Sequence, residues 1–395
     1  MNSRTNLPMT PALTTRLPAV GTTVFTRMST LAAQAGAVNL GQGFPDFGCE
    51  RSLLTAVNDA MQADFNQYPM MSGAPVLRQA IVAKIEAIYG HAYNVDSEIT
   101  VTAGATQALT TAIFCCVHPG DEVIVIEPVY DSYVPAITLA GGVPVAVEME
   151  VGQGDNTGYT VPWHKVAAAV TSKTRLIIIN TPHNPTSTVL RAADMQALTD
   201  IVRGTDVLIL SDEVYEHMVY DGHRHESASR YPELAARAFV VSSFGKTYHV
   251  TGWKIGYVAA PASLMAEFRK VHQYNVFSVN TPMQHGLASY MADPKPYLEL
   301  PAFYQRKRDL FRDGLKNTRF ELLPADGTYF QCVRYDRIST QTEAEFAEWL
   351  TTDIKVAAIP VSAFYQQGKE SGIVRFCFAK KDETLALALE RLGKV

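Results

Sequence analysis

An amine, a carboxylate and a phenol that could meet at the ends of buried strands are the chemistry this chain offers first. The segment SSFGKTYHVTGWKIGY, Ser242 to Tyr257, places Lys246 in a Gly-preceded turn after a β-rich run, with a second cation, Lys254, eight residues on. A lysine in such a turn is by itself an ordinary solvated charge. A second segment, SDEVY, puts Asp212 and Tyr215 at the end of an earlier apolar strand. Together the three match what pyridoxal 5′-phosphate requires. The lysine holds its aldehyde covalently, the aspartate keeps its ring nitrogen protonated, and the phenol bonds its ring oxygen.

Further polar residues follow the same rule, each just beyond an apolar run. Gly104, Ala105 and Thr106 open a helix after EITVTAG, where free N–H groups could face an anion. Tyr130 follows DEVIVIEP and could stack on a flat ring; alone it reads equally as a core aromatic. Asn184 follows TRLIIINTP and could donate its amide to the ring's phenolic oxygen, although N-P is also a common turn signal. His183 beside it reads as a turn residue and is given no catalytic role. Asp212 alone reads as a helix cap, but an unpaired charge after a buried strand is costly, and a cationic ring nitrogen removes that cost. Ser243 and Lys254 would supply a hydroxyl and a cation to a phosphate. Burial and nearby cations would help Lys246 lose its proton and move protons at a substrate carbon. In GIVRFCF, Val374, Phe376 and Phe378 share one face and leave Arg375 on the other with Cys377. Its fork could hold a carboxylate, worth about 1.5–3 kcal/mol, or form a surface ion pair.

Elements that position these groups are legible in the hydrophobic pattern. Six β-branched runs (98–104, 121–128, 174–182, 206–213, 238–244 and 254–261) alternate with helical stretches such as 105–117 and 192–204, the latter ending on Gly204. IVI, LIII and VLIL are continuous rather than alternating, the mark of strands covered on both faces. An α/β domain with a largely parallel sheet follows. In such sheets ligands bind beyond the carboxyl ends of the strands, where the candidates fall. After Pro282 the pattern changes to a long helical stretch, two strands around the D-G of FELLPADGTYFQCVRYD, a helix over 343–354, a strand over 371–380 and a helix over 382–392 capped by Asp382. A smaller α+β domain is expected there.

The chain has 395 residues, 47% hydrophobic and 18% charged, enough for two or three domains of roughly 100–200 residues. A net charge of −5 with no block of like charge offers nothing to nucleic acid or anionic membranes. Five scattered cysteines lack metal-ligand spacing, so no metal site is expected and reduced thiols in a cytoplasmic protein fit best. The N-terminal segment lacks the apolar stretch of a secretory signal, and no run reaches the ~20 apolar residues that span a bilayer.

These motifs resemble the fold-type-I, class I/II aminotransferases over nearly the whole chain, from VNLGQGFPDF (38–47) to the C-terminal helix. The resemblance implies pyridoxal phosphate, a PLP-dependent transferase fold, and three parts: an arm over 1–45, a large cofactor-binding domain over 46–285 and a small domain over 286–395. It assigns Arg375, in its R-F-C-F stretch, to the substrate carboxylate, with the backbone of Gly43 alongside. It implies a homodimer in which Tyr68, in NQYPMMSGAPVLRQAI, reaches the neighbouring subunit's cofactor phosphate. LGQGFPDF, EPVYDSY, NTPHNPTSTV and SSFGKTYHVTGWKIGY are similar to the branch of methionine aminotransferases and kynurenine/glutamine transaminases. Kynurenine and glutamine-transaminase-K types tend to carry an aromatic where Thr106 stands and a histidine near Ser278, which points toward the methionine-preferring type. The expectation is a ping-pong transaminase, with a cysteine-conjugate β-lyase on the same fold as the nearest alternative. A PLP-binding regulator is the remote one, since it would need an added DNA-binding domain.

Overall fold

The computed structural model describes residues 13–152 and 158–395. The first twelve residues of the expected arm lie outside the described residues. A seven-stranded sheet runs in the order Ile99–Thr102, Gly256–Ala259, Ala238–Ser243, Leu208–Asp212, Thr174–Asn180, Glu122–Glu127, Val143–Glu148. Alternate residues of its central strands feed two separate cores. Val123, Val125, Leu176, Ile178, Leu210, Phe239 and Val241 pack on the face covered by the Gly104–Cys116 helix. Ile124, Ile126, Ile177, Ile179, Ile209 and Val240 pack on the other, against the Pro75–Tyr89 and Ala192–Val202 helices. Two buried faces explain the continuous apolar runs, and each such side chain contributes about 1.5–3 kcal/mol by leaving water.

Two details go beyond the sequence reading of a largely parallel sheet. The run at 254–261 forms a strand antiparallel to both its neighbours, Ile99–Thr102 and Ala238–Ser243. Its connection holds only a four-residue helical turn, Phe244–Thr247, and a 3₁₀ turn, Thr251–Trp253. A parallel return usually runs through a full helix laid across the sheet; this connection has none, and the chain doubles back. The edge strand Val143–Glu148 was not among the runs read as strands, although Val143, Val145 and Val147 alternate within its apolar VPVAV stretch. It pairs on one side only, carries Pro144, and buries Val147 alone.

The C-terminal part builds an antiparallel sheet in the order Glu321–Leu322, Phe330–Arg334, Ile373–Cys377, Ile359–Pro360, packed with the Leu300–Leu315 and Asp382–Leu392 helices in one core. Asp326-Gly327 lies within a wide loop rather than a tight hairpin turn. Glu321 pairs with Arg334 and Leu322 with Val333, and Gly327 bridges to Val219 of the large sheet's loops instead. A side chain at Gly327 would meet Pro182 and Val189 at 2.7 Å, so close approach explains this glycine. The N-cap position of the last helix is Lys381, not Asp382, and its side chain makes no capping hydrogen bond. Asp382 sits in the first turn, paired with Lys307 at 2.9 Å, while Asp46 accepts from the Lys381 N–H at 2.6 Å. A carboxylate from 335 positions away does the capping, which local sequence does not show.

Residues 24–39 lie on this second unit. The Val24–Ala35 helix, capped by the Thr23 hydroxyl and ended at Gly36 (φ +60°), buries Met28 in the C-terminal core and packs Phe25 and Leu31 against it. Val38–Asn39 then pairs in parallel with Val356–Ala357.

Candidate active site

At the carboxyl ends of the parallel strands lies a cavity of about 350 Å³. Gly104, Ala105, Thr106, Tyr130, Asn184, Asp212, Tyr215, Ser243, Lys246 and Lys254 line it from the large sheet. Gly43 and Arg375 line it from the N-terminal segment and the small sheet. Tyr68 does not; it is 81% exposed, with its ring edge-on to Phe277 at 5.2 Å between centroids.

One end of the cavity has the groups that could cradle an anion. The helix begins at Gly104, and its first N–H groups have no partner in the helix. Gly104 has φ +74°, and a β-carbon there would come within 3.3 Å of Lys254 Cε and 3.4 Å of its Nζ. The glycine lets the ammonium approach the helix start. Lys254 takes a left-handed conformation (φ +56°) in doing so, and Ser243 and Thr251 complete this end.

Asp212 sits deeper, 3% exposed, with no basic side chain paired to it among the described residues. Burial pushes its pKa up to about 6, against the opposing pull of a hydrogen bond from the Tyr133 hydroxyl and of the Val214 N–H. Asn180 fixes the neighbourhood, donating to the Asp212 carbonyl at 2.8 Å and accepting from the Asn184 N–H at 2.8 Å. A buried carboxylate without a cation fits a protonated ring nitrogen.

Lys246 faces it with Nζ donating to the Tyr329 hydroxyl at 2.8 Å and the Gly43 carbonyl at 3.0 Å. Burial lowers its pKa to about 8, and the Arg375 and Lys254 charges push the same way. Tyr215 packs edge-on against Tyr329, 5.1 Å between centroids, and burial raises its phenol pKa. Tyr130 has its phenol raised too, by burial first and by the Asp131 charge.

Arg375 is 1% exposed. Its guanidinium donates to Asn184 Oδ1 and, at 3.2 Å, to the Gly41 carbonyl, and lies 3.8 Å over the Phe330 ring. Nε has no partner, and no carboxylate pairs with it among the described residues. Arginine stays charged even so, and a buried cation without an anion fits a ligand carboxylate.

Tyr133, Asn180, Tyr329 and Phe330 were not singled out by sequence. Tyr133 stands three residues after Tyr130 in EPVYDSY and carried a signal of its own as a second phenol in the motif. Tyr329 reaches Lys246 across 83 residues from the other unit, which no local pattern encodes. Among the described residues no cluster of His, Cys, Asp or Glu is placed to hold a metal ion, and no helix is long and apolar enough to cross a membrane.

A sheet with its polar groups gathered beyond the strand ends, an anion cradle, a buried acid and a low-pKa lysine together describe a pyridoxal-phosphate enzyme. The chain belongs to the class I and II aminotransferases, whose family model matches residues 35–392. It is a PLP-dependent transaminase. It is 48% identical over 392 residues to the methionine aminotransferase of Escherichia coli (strain K12), covering 99% of this chain and all of that one. The crystal structure of YbdL from Escherichia coli, whose reactivity identified a methionine aminotransferase function, superimposes with a TM-score of 0.95 at 48% identity over 98% of this chain and all of YbdL. A kynurenine–oxoglutarate transaminase of Dictyostelium discoideum is 35% identical over 95% of this chain and 94% of its own.

Proposed function

We propose that this transaminase prefers L-methionine as donor and passes its amino group to a second 2-oxo acid in a ping-pong cycle, with aromatic amino acids and glutamine as further donors. The observation that carries the reading is the cavity's inventory. Arg375 is its one buried cation available for a carboxylate, and Phe25, Phe44, Leu109, Val214 and Phe330 wall the rest with apolar surface. Such a wall separates a thioether from an aromatic ring by only about 1–3 kcal/mol, so the range of donors is broad. The identity to the Escherichia coli methionine aminotransferase supports the order of preference.

When bound, pyridoxal phosphate supplies an aldehyde that exchanges amines and a cationic ring that stores the electron pair released at the substrate α-carbon. The chain's residues would divide the rest of the work. The N–H groups at Gly104, Ala105 and Thr106, the Ser243 hydroxyl and the Lys254 ammonium would hold the phosphate. Tyr130 would cover the ring face, Asn184 and Tyr215 would donate to its phenolic oxygen, and Asp212 would hold the proton on its nitrogen. Lys246 would act as the base that takes the proton from the substrate α-carbon and as the acid that returns it. Arg375 and the Gly43 backbone orient the carboxylate. A second copy of the chain would bring Tyr68 to the phosphate, so the working unit is a homodimer, acting in the cytoplasm. The chain divides into an arm (1–45), a large domain (46–285) and a small domain (286–395).

The test is one half-reaction: holoenzyme with excess L-methionine and no oxo acid. The visible band is expected to bleach as stoichiometric 4-methylthio-2-oxobutanoate forms. A band that bleaches with aromatic donors but not with methionine would overturn the preference. Release of pyruvate, ammonia and thiol from a cysteine conjugate would identify a β-lyase.

Arg375→Lys tests the carboxylate site. Lysine keeps the charge but loses the fork, and the carboxylate is held equally in ground and transition states. The expected loss in kcat/KM is about 10–100-fold, carried mainly by KM. A fall confined to kcat would place Arg375 elsewhere in the cycle.

A further inference from the structure

Behind the cavity, Glu216 and Lys84 form an ion pair at 2.6 Å with side chains only 2% and 5% exposed. Glu216 also accepts from the Tyr89, Ser242 and Tyr257 hydroxyls, the last at 3.3 Å. Lys84 and Tyr89 both lie on the Pro75–Tyr89 helix. Ser242 and Tyr257 face each other across neighbouring antiparallel strands. Burial would raise the Glu216 carboxyl, but Lys84 and the donors around it hold it below its ordinary value. His217, whose Nε2 lies 3.3 Å from Lys84 Nζ, is pushed down to about 3 by burial and is neutral at pH 7. Three residues earlier in the same turn, Glu213 is tied by Ser211, His225 and the Ala228 N–H at 2.7–2.9 Å.

A buried ion pair is a poor stabiliser, because desolvation takes back most of the Coulomb gain and apolar replacements often do as well. Position is a better account of this one. Glu216 directly follows Tyr215, and Ser242 directly precedes Ser243 on the strand that leads to Lys246. One carboxylate therefore joins the turn bearing Asp212 and Tyr215 to the strand end bearing Ser243 and Lys246. Its partners converge from a helix and two strands, and none of them lines the cavity.

We propose that the buried Lys84–Glu216 pair, with the Tyr89, Ser242 and Tyr257 hydroxyls, is a positioning device that sets Asp212 and Tyr215 relative to Lys246 and Ser243. The inference rests on the cofactor roles proposed above for those four residues. Neither Lys84 nor Glu216 touches cofactor or substrate; they act through the segments they clamp.

The experiment compares wild type, the double variant Lys84→Met with Glu216→Gln, and Ser242→Ala. The double variant leaves no unpaired buried charge, and Ser242→Ala removes one donor while keeping the pair. Each is stripped of cofactor and titrated with pyridoxal phosphate. The pH dependence of the visible band is then recorded, with thermal unfolding in parallel. A buried variant outside the cavity lining, Phe346→Leu, reports what destabilisation alone does. The double variant should bind cofactor about tenfold more weakly, the scale for losing groups that orient a ligand's holders. Its band should titrate at higher pH, because a ring nitrogen held less firmly withdraws less from the lysine nitrogen. Ser242→Ala should move both in the same direction by less, and Phe346→Leu should move neither. Cofactor affinity and band titration that stay at wild-type values in Ser242→Ala, and in the double variant where it folds, would overturn the inference while leaving the assigned site intact. Wild type that gives no band at all would overturn both.

Discussion

Lys246→Ala is expected to lose the visible cofactor band and to slow transamination by roughly 10⁴-fold or more, with the fold intact. The top of the range for a positioned acid–base group is about that factor, and the covalent hold on the cofactor goes with it. The protein part of the argument is electrostatic. Burial brings the Lys246 pKa down to about 8, and the Arg375 and Lys254 charges add to the effect. The unprotonated amine is thus populated near neutral pH, with the Tyr329 hydroxyl and Gly43 carbonyl fixing where it points. Capture of the aldehyde by cofactor-free protein should accordingly rise as pH increases through about 8, not through the ordinary lysine range. Stopped-flow absorbance across pH, with circular dichroism on the variant, checks both points. A band that persists in Lys246→Ala would assign the linkage to another lysine.

Much of this site was readable from sequence because its parts belong to strand ends. A strand covered on both faces announces itself by an unbroken apolar run, as LIII and VLIL do, and whatever polar residue follows must lie at the sheet's edge. Asp212, Asn184, Ser243 and Lys246 were found by that logic, and all four line one cavity. Arg375 needed more. Strand alternation put it opposite Val374 and Phe376, but the direction of that face was set by packing with the N-terminal segment, whose Gly41 carbonyl it bonds across 334 positions. Tyr329 and the Asp46 cap on the last helix are of the same kind, contacts made by tertiary placement without local pattern. The direction of the strand at 256–259 was not legible for another reason. Its apolar content is like that of the sheet's parallel strands, and direction is a property of the connection rather than of the strand. The Glu216 network was invisible because Glu and Lys are residues that sequence reading sends to the surface.

Asp212→Asn should split activity from stability in opposite directions. With pyridoxal phosphate bound, the buried carboxylate would face a cationic ring nitrogen, and an amide there could no longer favour that charge. Removing one preorganised electrostatic partner typically costs about 100–1,000-fold in kcat, and that is the loss expected, with the cofactor still linked to Lys246. Without cofactor the sign reverses. Burial raises Asp212 to about 6 from an unfolded value near 3.8, so the folded state holds the proton more tightly than the unfolded one. Any stability this contributes is present at low pH and is lost as pH rises through about 6. At pH 7 the cofactor-free wild type carries a buried charge that costs on the order of 2–3 kcal/mol, which asparagine does not. The cofactor-free variant should therefore melt at a higher temperature than cofactor-free wild type at pH 7, and the gap should close toward pH 4. Tyr133 keeps its partner in either form, since an amide oxygen can accept from its hydroxyl as the carboxylate does. Equal melting temperatures at both pH values would mean that Asp212 is not strained by its burial, and the case for a cationic ring nitrogen as its natural partner would lose its physical ground.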